Sequence, residues 1–169
     1  LLRQSLANLI TNAIKYTQEG GKILLQNGRE DGHVIFQVTD NGPGIVRAQI
    51  PKIFAKLLYG SKFHRLRMSR GQQGIGISAA GMYGQLTTGR PMTVISRTGK
   101  GKPAFRLNVR IDAQKNLPET LGEEQIEWEH DHGTSVEIEL SATYRRGSRG
   151  VEEYLEQVAI ANPHARIAY

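Results

Sequence analysis

The sequence of 169 residues contains no cysteine, and this absence excludes a disulfide framework, a cysteine-ligated zinc site and a cysteine nucleophile. It also lacks any apolar run near the roughly 20 residues of a membrane-spanning helix. No basic and then apolar leader follows Leu1, so the sequence predicts no signal peptide. We therefore expect a cytoplasmic protein with no membrane partner.

What the sequence does hold fits a single globular domain over residues 1–169. Hydrophobic residues make up 38%, and 19 glycines bring the apolar fraction to the usual globular range. Lysine and arginine outnumber aspartate and glutamate by 22 to 16, which gives a net charge of +6. This balance favours polyanionic partners such as phosphates or nucleic acid.

Both ends of the sequence fall inside predicted elements. Apolar residues recur at helical spacing from Leu2 to Ile14, so the chain opens within an amphipathic helix. Residues 165–169 have the pattern of the first residues of a strand. We interpret the chain as an excised or engineered domain, and the alternative is a natural chain whose ends were removed.

Hydrophobic periodicity predicts three helices, which run to residue 16, over 75–86 and over 150–162, and a short helix over 50–58. The predicted strands cover 22–26, 33–39, 92–97, 104–111 and 135–140, with a polar turn at 27–32 and an aperiodic loop at 59–73. These elements predict an α+β two-layer sandwich of a mixed β-sheet with helices on one face. Strict β-α-β alternation is absent, which disfavours a doubly wound sheet.

Asn8 and Asn12 lie four residues apart, on one face of the first predicted helix. Asparagine is a poor helix former. Its side-chain oxygen is a hard ligand suited to Mg²⁺, which keeps most of its waters and binds phosphate oxygens. The pair is compatible with a magnesium–phosphate site or, alternatively, with two solvent-facing asparagines.

The run Asp40-Asn41-Gly42-Pro43-Gly44-Ile45 follows the end of an apolar strand. One interpretation is a tight turn in which proline and glycine act on conformation alone. The other places Asp40 at the floor of a pocket, where its carboxylate accepts a hydrogen bond from an exocyclic amine. Gly42 and Gly44 would then let a flat base approach the backbone.

A glycine-rich run opens the third predicted helix, Arg70-Gly71-Gln72-Gln73-Gly74-Ile75-Gly76-Ile77. Glycines before a helix N-terminus expose backbone N–H groups to an anion. The run is not a Walker A loop, which needs lysine where Ile77 stands. It is not a dinucleotide fingerprint either, because that needs a preceding apolar strand and an acidic residue about 20 positions on.

His132-Gly133-Thr134 precedes the last strand of the predicted sheet. Thr134 is placed to contact a base through water, and the alternative is an ordinary strand start. His130 and His132 are spaced like metal ligands, but no further ligand lies within sequence reach. We therefore expect no structural metal.

The order of these motifs resembles the Bergerat ATP-binding fold of the GHKL superfamily, which includes gyrase, Hsp90, histidine kinases and MutL. The stretch 38–169 is more narrowly similar to the B subunit of archaeal-type topoisomerase VI. The matching runs are DNGPGI at 40–45, KLLYGSKFHRLRMSRGQQGIGISAAGMYGQLTTG at 56–89, HGTSVEIEL at 132–140 and the tail EEYLEQVAIANPHARIAY.

The start of the chain departs from this resemblance. Residues 1–25 are similar to the N-box helix of a histidine kinase running into its strand, residues 26–163 to topoisomerase VI B, and residues 164–169 to the start of a next element. This division is typical of a graft of a kinase-like helix onto a topoisomerase domain. The alternative is a natural divergent homologue.

The resemblance implies a role for each matching position. Asp40 corresponds to the adenine-reading carboxylate and Asn12 to the Mg²⁺ ligand. The other nucleotide-binding positions are Asn8, Lys15, Tyr16, Gly42, Gly44, Ser61, Lys62, Thr134 and the phosphate loop Arg70, Gly71, Gln72, Gln73, Gly74, Ile75, Gly76 and Ile77. The implied cofactors are ATP or ADP and Mg²⁺.

Asn8 is the departure with most consequence. Topoisomerase VI has glutamate there, as the base that activates the hydrolytic water, and a carboxamide lacks the general-base effect worth ~10²–10⁴-fold. The resemblance thus predicts an ATP-Mg²⁺ binding domain of a type IIB topoisomerase with weak or absent hydrolysis. The parent family adds a transducer domain, a DNA-cleaving A subunit and duplex DNA as partners, and we expect the isolated domain to be monomeric.

Two other functions stay open from the sequence. A histidine-kinase-type catalytic domain would transfer phosphate to a separate histidine-bearing domain, a hypothesis motivated by Asn8, Asn12, Lys15 and Tyr16. A basic DNA-binding module would instead bind duplex DNA through its surface charge, in a strongly salt-dependent way.

Overall fold

The computed structural model describes residues 2–59, 76–142 and 150–169. Its helices are α1 (Leu2–Tyr16), α2 (Ile50–Phe54), α3 (Gly76–Thr88) and α4 (Val151–Ala161). Its strands are β1 (Gly21–Glu30), β2 (His33–Asp40), β3 (Met92–Arg97), β4 (Ala104–Asp112), β5 (Leu117–Ile126), β6 (Gly133–Leu140) and β7 (Ala165–Ala168). The strands form one mixed sheet in the order β5-β4-β3-β6-β2-β1-β7, in which only β1 and β7 pair in parallel.

One face of this sheet is apolar. Val34, Phe36 and Val38 of β2 are buried at alternate positions. Val38 lies opposite Val136 of β6, which in turn lies opposite Val94 of β3. Because alternate side chains point to the same side of a strand, these rows build a continuous apolar layer under the helices.

Helices α1 and α3 cover the centre of that layer and pack against each other. Leu6, Leu9 and Ile10 of α1 are buried in the core that the helices and the sheet share. Two glycines let α3 approach the sheet closely. A Cβ on Gly84 would lie 2.7 Å from the carbonyl oxygen of Glu139 in β6, and a Cβ on Gly81 would overlap the side chain of Met92 in β3. The small-residue composition of α3 is therefore a packing requirement.

The remaining helices of the described part join the same core. Ile50 and Phe54 of α2, and Val151 and Leu155 of α4, belong to one cluster of buried residues with α1, α3 and the sheet. The predicted α+β two-layer sandwich with helices on one face is thereby confirmed. No helix among the described residues is long and apolar enough to cross a bilayer.

The first hairpin differs from its prediction. The expected polar turn over residues 27–32 is wrong, because β1 stays paired with β2 as far as Glu30 opposite His33. The hairpin closes over two residues only, Asp31 (φ 49°) and Gly32 (φ 82°). Two central residues at positive φ match the natural twist of the flanking strands, so the pairing continues through polar, exposed residues.

Two further boundaries need correction. Helix α2 ends at Phe54 and not at residue 58, since Leu58 has a left-handed backbone with φ 64° that no α-helix can hold. A 3-10 turn, Arg47–Gln49, leads into it. The sequence also did not predict β5. Residues 165–169, predicted as the start of a strand, contain β7, so the described sheet has seven strands where about five were expected.

Candidate functional site

Three polar side chains form a row at one end of the apolar sheet face. Asp40 ends β2 opposite Thr134 of β6, and Thr134 lies opposite Ser96 of β3. Each stands two residues from a buried valine of its own strand, so all three face the helix layer. These three polar residues interrupt the apolar layer beneath the end of α1. We call the site formed by Asp40, Thr134 and Ser96 the Asp40 corner.

The carboxylate of Asp40 is the ionisable group of that corner. It accepts a hydrogen bond from the backbone N–H of Gly42 at 2.8 Å. Burial raises the pKa of Asp40 to about 6. This effect outweighs the opposite effects of the backbone N–H groups of Gly42 and Thr134 and of the nearby His132, which lower the pKa. At neutral pH the group is thus mostly ionised and presents hydrogen-bond acceptors only.

This shift predicts a pH-dependent stability that Asp40→Asn removes. Since the pKa rises on folding from 3.8 to about 6, the folded protein binds more protons than the unfolded chain between those values. The free energy of unfolding of the wild type should fall, relative to that of the variant, by up to about 3 kcal/mol as the pH rises through this window. Urea unfolding across it measures the difference, and parallel curves would contradict the shift.

The turn after Asp40 is clamped on both sides. Asn41 accepts a hydrogen bond from the Lys22 N–H through its side-chain oxygen at 2.7 Å, which joins the turn to the start of β1.

Two glycines let the same turn pack closely. Gly42 lies against the C-terminal end of α1, where a Cβ would come within 3.0 Å of the Tyr16 carbonyl oxygen. Gly44 has φ +71°, and a Cβ there would overlap the carbonyl oxygen of Arg97. Both glycines are therefore needed for the shape of the corner.

Gly44→Ala is expected to destabilise the protein by about 2 kcal/mol, because alanine is strained at positive φ and its Cβ would collide with backbone that cannot move aside. Gly28→Ala is the matched control, since a Cβ at Gly28 meets nothing within 4 Å and φ is ordinary. Chemical unfolding of both variants tests the difference. Equal stabilities would show that the turn relaxes freely.

Ser96 and His132 support the corner, and the sequence analysis did not assign them to it. The Ser96 hydroxyl bonds to the Ile45 N–H (2.8 Å), the Gly133 carbonyl (2.8 Å) and the Thr134 hydroxyl (3.1 Å). His132 donates from Nδ1 to the Gly42 carbonyl oxygen at 2.8 Å. The sequence held one signal for Ser96. It lies on the face of its strand that otherwise buries methionine and valine, which indicates a buried polar group.

A second group of predicted residues lies where α1 meets the first residue of α3. Asn8 points at that helix start, where a Cβ on Gly76 would lie 3.0 Å from the Asn8 side-chain oxygen. Gln4 donates to the same oxygen at 3.3 Å. Asn8 and Asn12 are both half-buried. Ile77 buries its side chain in the core.

Helix α1 connects the two groups. Its last residue, Tyr16, touches Gly42 through its backbone, and Asn8 lies eight residues earlier, a distance of about 12 Å along a helix. Lys15 and Tyr16 are exposed, with the Lys15 ammonium 5.1 Å from the Tyr16 ring centre. The structure thus places the Asp40 corner at the C-terminal end of α1 and the start of α3 beside the middle of α1.

Several predicted binding positions lie outside the described residues. They are Ser61, Lys62, Arg70, Gly71, Gln72, Gln73, Gly74 and Ile75. Gly76 and Ile77 are the members of the predicted phosphate loop that the structure describes.

Comparison with known proteins gives a family match. Residues 1–144 match the family model of the histidine kinase-, DNA gyrase B- and HSP90-like ATPases. The chain is 55% identical over 141 residues to the B subunit of type 2 DNA topoisomerase 6 from Methanococcoides burtonii, covering 83% of this chain and 22% of that protein. The corresponding protein of Methanosarcina barkeri is 48% identical over 163 residues, covering 94% and 26%.

The same topoisomerase component of Archaeoglobus fulgidus is 47% identical over 164 residues, covering 95% of this chain and 27% of that protein. The chain therefore spans about a quarter of the length of these relatives. These matches confirm the resemblance predicted from the motifs. The interpretation of residues 1–25 as a kinase-derived graft stays a prediction.

Proposed function

Because the chain belongs to the histidine kinase-, DNA gyrase B- and HSP90-like ATPase family, we propose that it binds ATP with Mg²⁺ as the nucleotide-binding domain of a type IIB DNA topoisomerase. The similarity to topoisomerase 6 B subunits supports the topoisomerase part. The observation that carries the nucleotide part is the partly buried carboxylate of Asp40, which accepts a hydrogen bond from the Gly42 N–H in a corner bounded by glycines.

In this proposal the corner binds the adenine ring. The ionised Asp40 accepts a hydrogen bond from the exocyclic amine, which has two N–H groups to donate. Thr134 contacts the same edge of the ring from the next strand. Gly42 and Gly44 let the turn pack closely against Tyr16 and Arg97, and the turn held in this shape would bound one side of the flat ring.

The phosphate tail would extend along α1 towards the start of α3. The N-terminus of a helix presents free N–H groups and a partial positive charge, which favour an anion. Gly76 and Ile77 would contribute backbone N–H groups there, and Asn8 its carboxamide. Lys15 and Tyr16 would contact the nucleotide from the exposed end of α1, and the remaining positions of the predicted loop, 70–75, together with Ser61 and Lys62, would complete the phosphate site.

Asn12 fits the role of magnesium ligand. Its half-buried carboxamide lies on the face of α1 that carries Asn8. Mg²⁺ in nucleotide sites takes one or two protein oxygens and completes its shell with phosphate and water. The site therefore needs no acidic cluster, and the described residues contain no group of three or more histidine or carboxylate ligands. When bound, Mg²⁺ would neutralise phosphate charge.

Hydrolysis in this chain would be weak or absent. Asn8 occupies the position where the general base is expected, and an amide does not take up a proton at neutral pH. We further propose that the partners are those of the parent family: a transducer domain, a DNA-cleaving A subunit and duplex DNA. The isolated domain would be a monomer.

Isothermal titration of the wild-type chain with ATP in the presence of Mg²⁺ tests the proposal. We expect saturable binding at one site per chain, weakened when Mg²⁺ is removed with a chelator. No heat of binding at millimolar ATP would contradict the proposal. If duplex DNA bound instead, with a steep dependence on salt and no effect of ATP, the basic DNA-binding hypothesis would take its place.

A further inference from the structure

We propose that Ser96 is a positioning residue that determines base specificity, because it fixes the direction of the Thr134 hydroxyl group. The corner formed by Asp40 and Thr134 then offers a bound ring hydrogen-bond acceptors only. This inference rests on the proposed function and adds a reason why the site would select a 6-aminopurine over a 6-oxopurine.

The direction follows from the hydrogen-bonding capacity of Ser96. A serine hydroxyl has one proton to donate and two lone pairs to accept with. The Gly133 carbonyl, 2.8 Å away, can only accept, so it takes the Ser96 proton. The Ile45 N–H, also 2.8 Å away, can only donate, so it fills one lone pair. Towards Thr134, at 3.1 Å, the Ser96 oxygen can therefore only accept.

Thr134 consequently gives its single hydroxyl proton to Ser96. Its remaining capacity is two lone pairs, and these are what the hydroxyl presents to the corner. The neighbouring Asp40 carboxylate is an acceptor as well, and the backbone N–H of Gly42 already donates to it. With both acceptors facing the 6-position of the ring, the two N–H groups of a 6-amine would satisfy them, whereas a 6-carbonyl would face them unpaired.

Burial makes this arrangement hard to reverse. Ser96 is 2% exposed and Thr134 is 5% exposed, so water cannot replace the bonds between them. If the Thr134 hydroxyl turned to donate into the corner, the Ser96 oxygen would lose one partner in a buried place. An unmade hydrogen bond there is costly, and the cost is what holds the Thr134 proton away from the ligand.

The test compares ATP with inosine triphosphate, which carries a carbonyl in place of the 6-amino group. We expect the wild type to bind ATP at least about 10-fold more tightly than inosine triphosphate. In Ser96→Ala the Thr134 proton is released and can turn towards the carbonyl. The ratio of the two dissociation constants should therefore fall about fivefold, which is the range of one hydrogen bond.

Ser135→Ala is the matched control. Ser135 is also a serine at 2% exposure, next to Thr134 on β6, but it faces the other side of the sheet and bonds to Gln37 and Thr39. Its loss should lower the melting temperature much as Ser96→Ala does and leave the nucleotide ratio unchanged. A ratio that fell equally in both variants would reduce Ser96 to a structural role and overturn the inference.

Thr134→Val provides a second variant of nearly the same shape, which removes the hydroxyl at the other end of the bond. It should lower the ratio by itself, and adding Ser96→Ala to it should lower the ratio no further. The inference would be overturned if the wild type bound ATP but the ratio of the two dissociation constants stayed unchanged in Thr134→Val or in a folded Ser96→Ala. Failure of the wild type to bind ATP would instead overturn the proposed function.

Discussion

Replacing Asp40 by asparagine is expected to weaken ATP binding by at least about 100-fold, or about 3 kcal/mol. The change removes a hydrogen bond to a charged acceptor, which is worth about 1.5–3 kcal/mol. It also introduces an amide that can turn its N–H₂ group towards the adenine amine and so set donor against donor. Isothermal titration with ATP and Mg²⁺ measures the loss.

Asp31→Asn is a suitable control, because it makes the same change of charge in the exposed turn between β1 and β2. Asparagine tolerates the positive φ of that position, so ATP affinity and stability should stay close to those of the wild type. The circular dichroism of Asp40→Asn should remain that of a folded protein. If the folded variant bound ATP within about threefold of the wild type, Asp40 would not be the adenine-binding carboxylate.

Replacing Asn8 by glutamate is expected to raise the rate of ATP hydrolysis by about 10²-fold, the lower end of what a general base contributes. The side chain of Asn8 lies beside the first residue of α3, where the proposal places the terminal phosphates. A carboxylate at this point would be close to a water in line with the phosphorus atom. Release of inorganic phosphate under single-turnover conditions reports the rate without a contribution from product release.

Gln4→Glu separates this effect from a general gain of negative charge. Gln4 lies one helical turn before Asn8 and donates to it at 3.3 Å, so Gln4→Glu places a carboxylate on the same face of α1 but one turn away from position 8. Its rate should match that of the wild type. A rate in Asn8→Glu that stayed at the wild-type level, while ATP still bound, would contradict the assignment of this position to the general base.

The sequence predicted the strands that bury an alternating apolar face, and it missed the one that does not. β2 and β6 lie in the middle of the sheet, so their apolar alternation was a reliable signal. β5 lies at the edge, holds a proline, a glycine and three glutamates, and is mostly exposed. Its pairing with β4 is accompanied by cross-strand ion pairs, Arg106 with Glu124 and Arg110 with Glu119, which local periodicity cannot show.

The site could be predicted in part for a related reason. Asp40 and Thr134 stand at strand ends within recognisable motifs, and the register of β2 and β6 then makes them neighbours. Ser96 belongs to no motif, and its role appears only once β3 is known to pair with β6. The contact of Asn8 with Gly76 likewise depends on how α1 packs on α3, which helical spacing within either segment cannot give.

The central claim is that adenine binds at the Asp40 corner with its phosphates directed along α1 to the start of α3. A crystal structure with a non-hydrolysable ATP analogue and Mg²⁺ tests it most directly. We predict the 6-amino group within hydrogen-bond distance of the Asp40 carboxylate and the phosphates beside Asn8 and Gly76. A nucleotide bound with its ring away from Asp40, or elsewhere on the molecule, would contradict the claim.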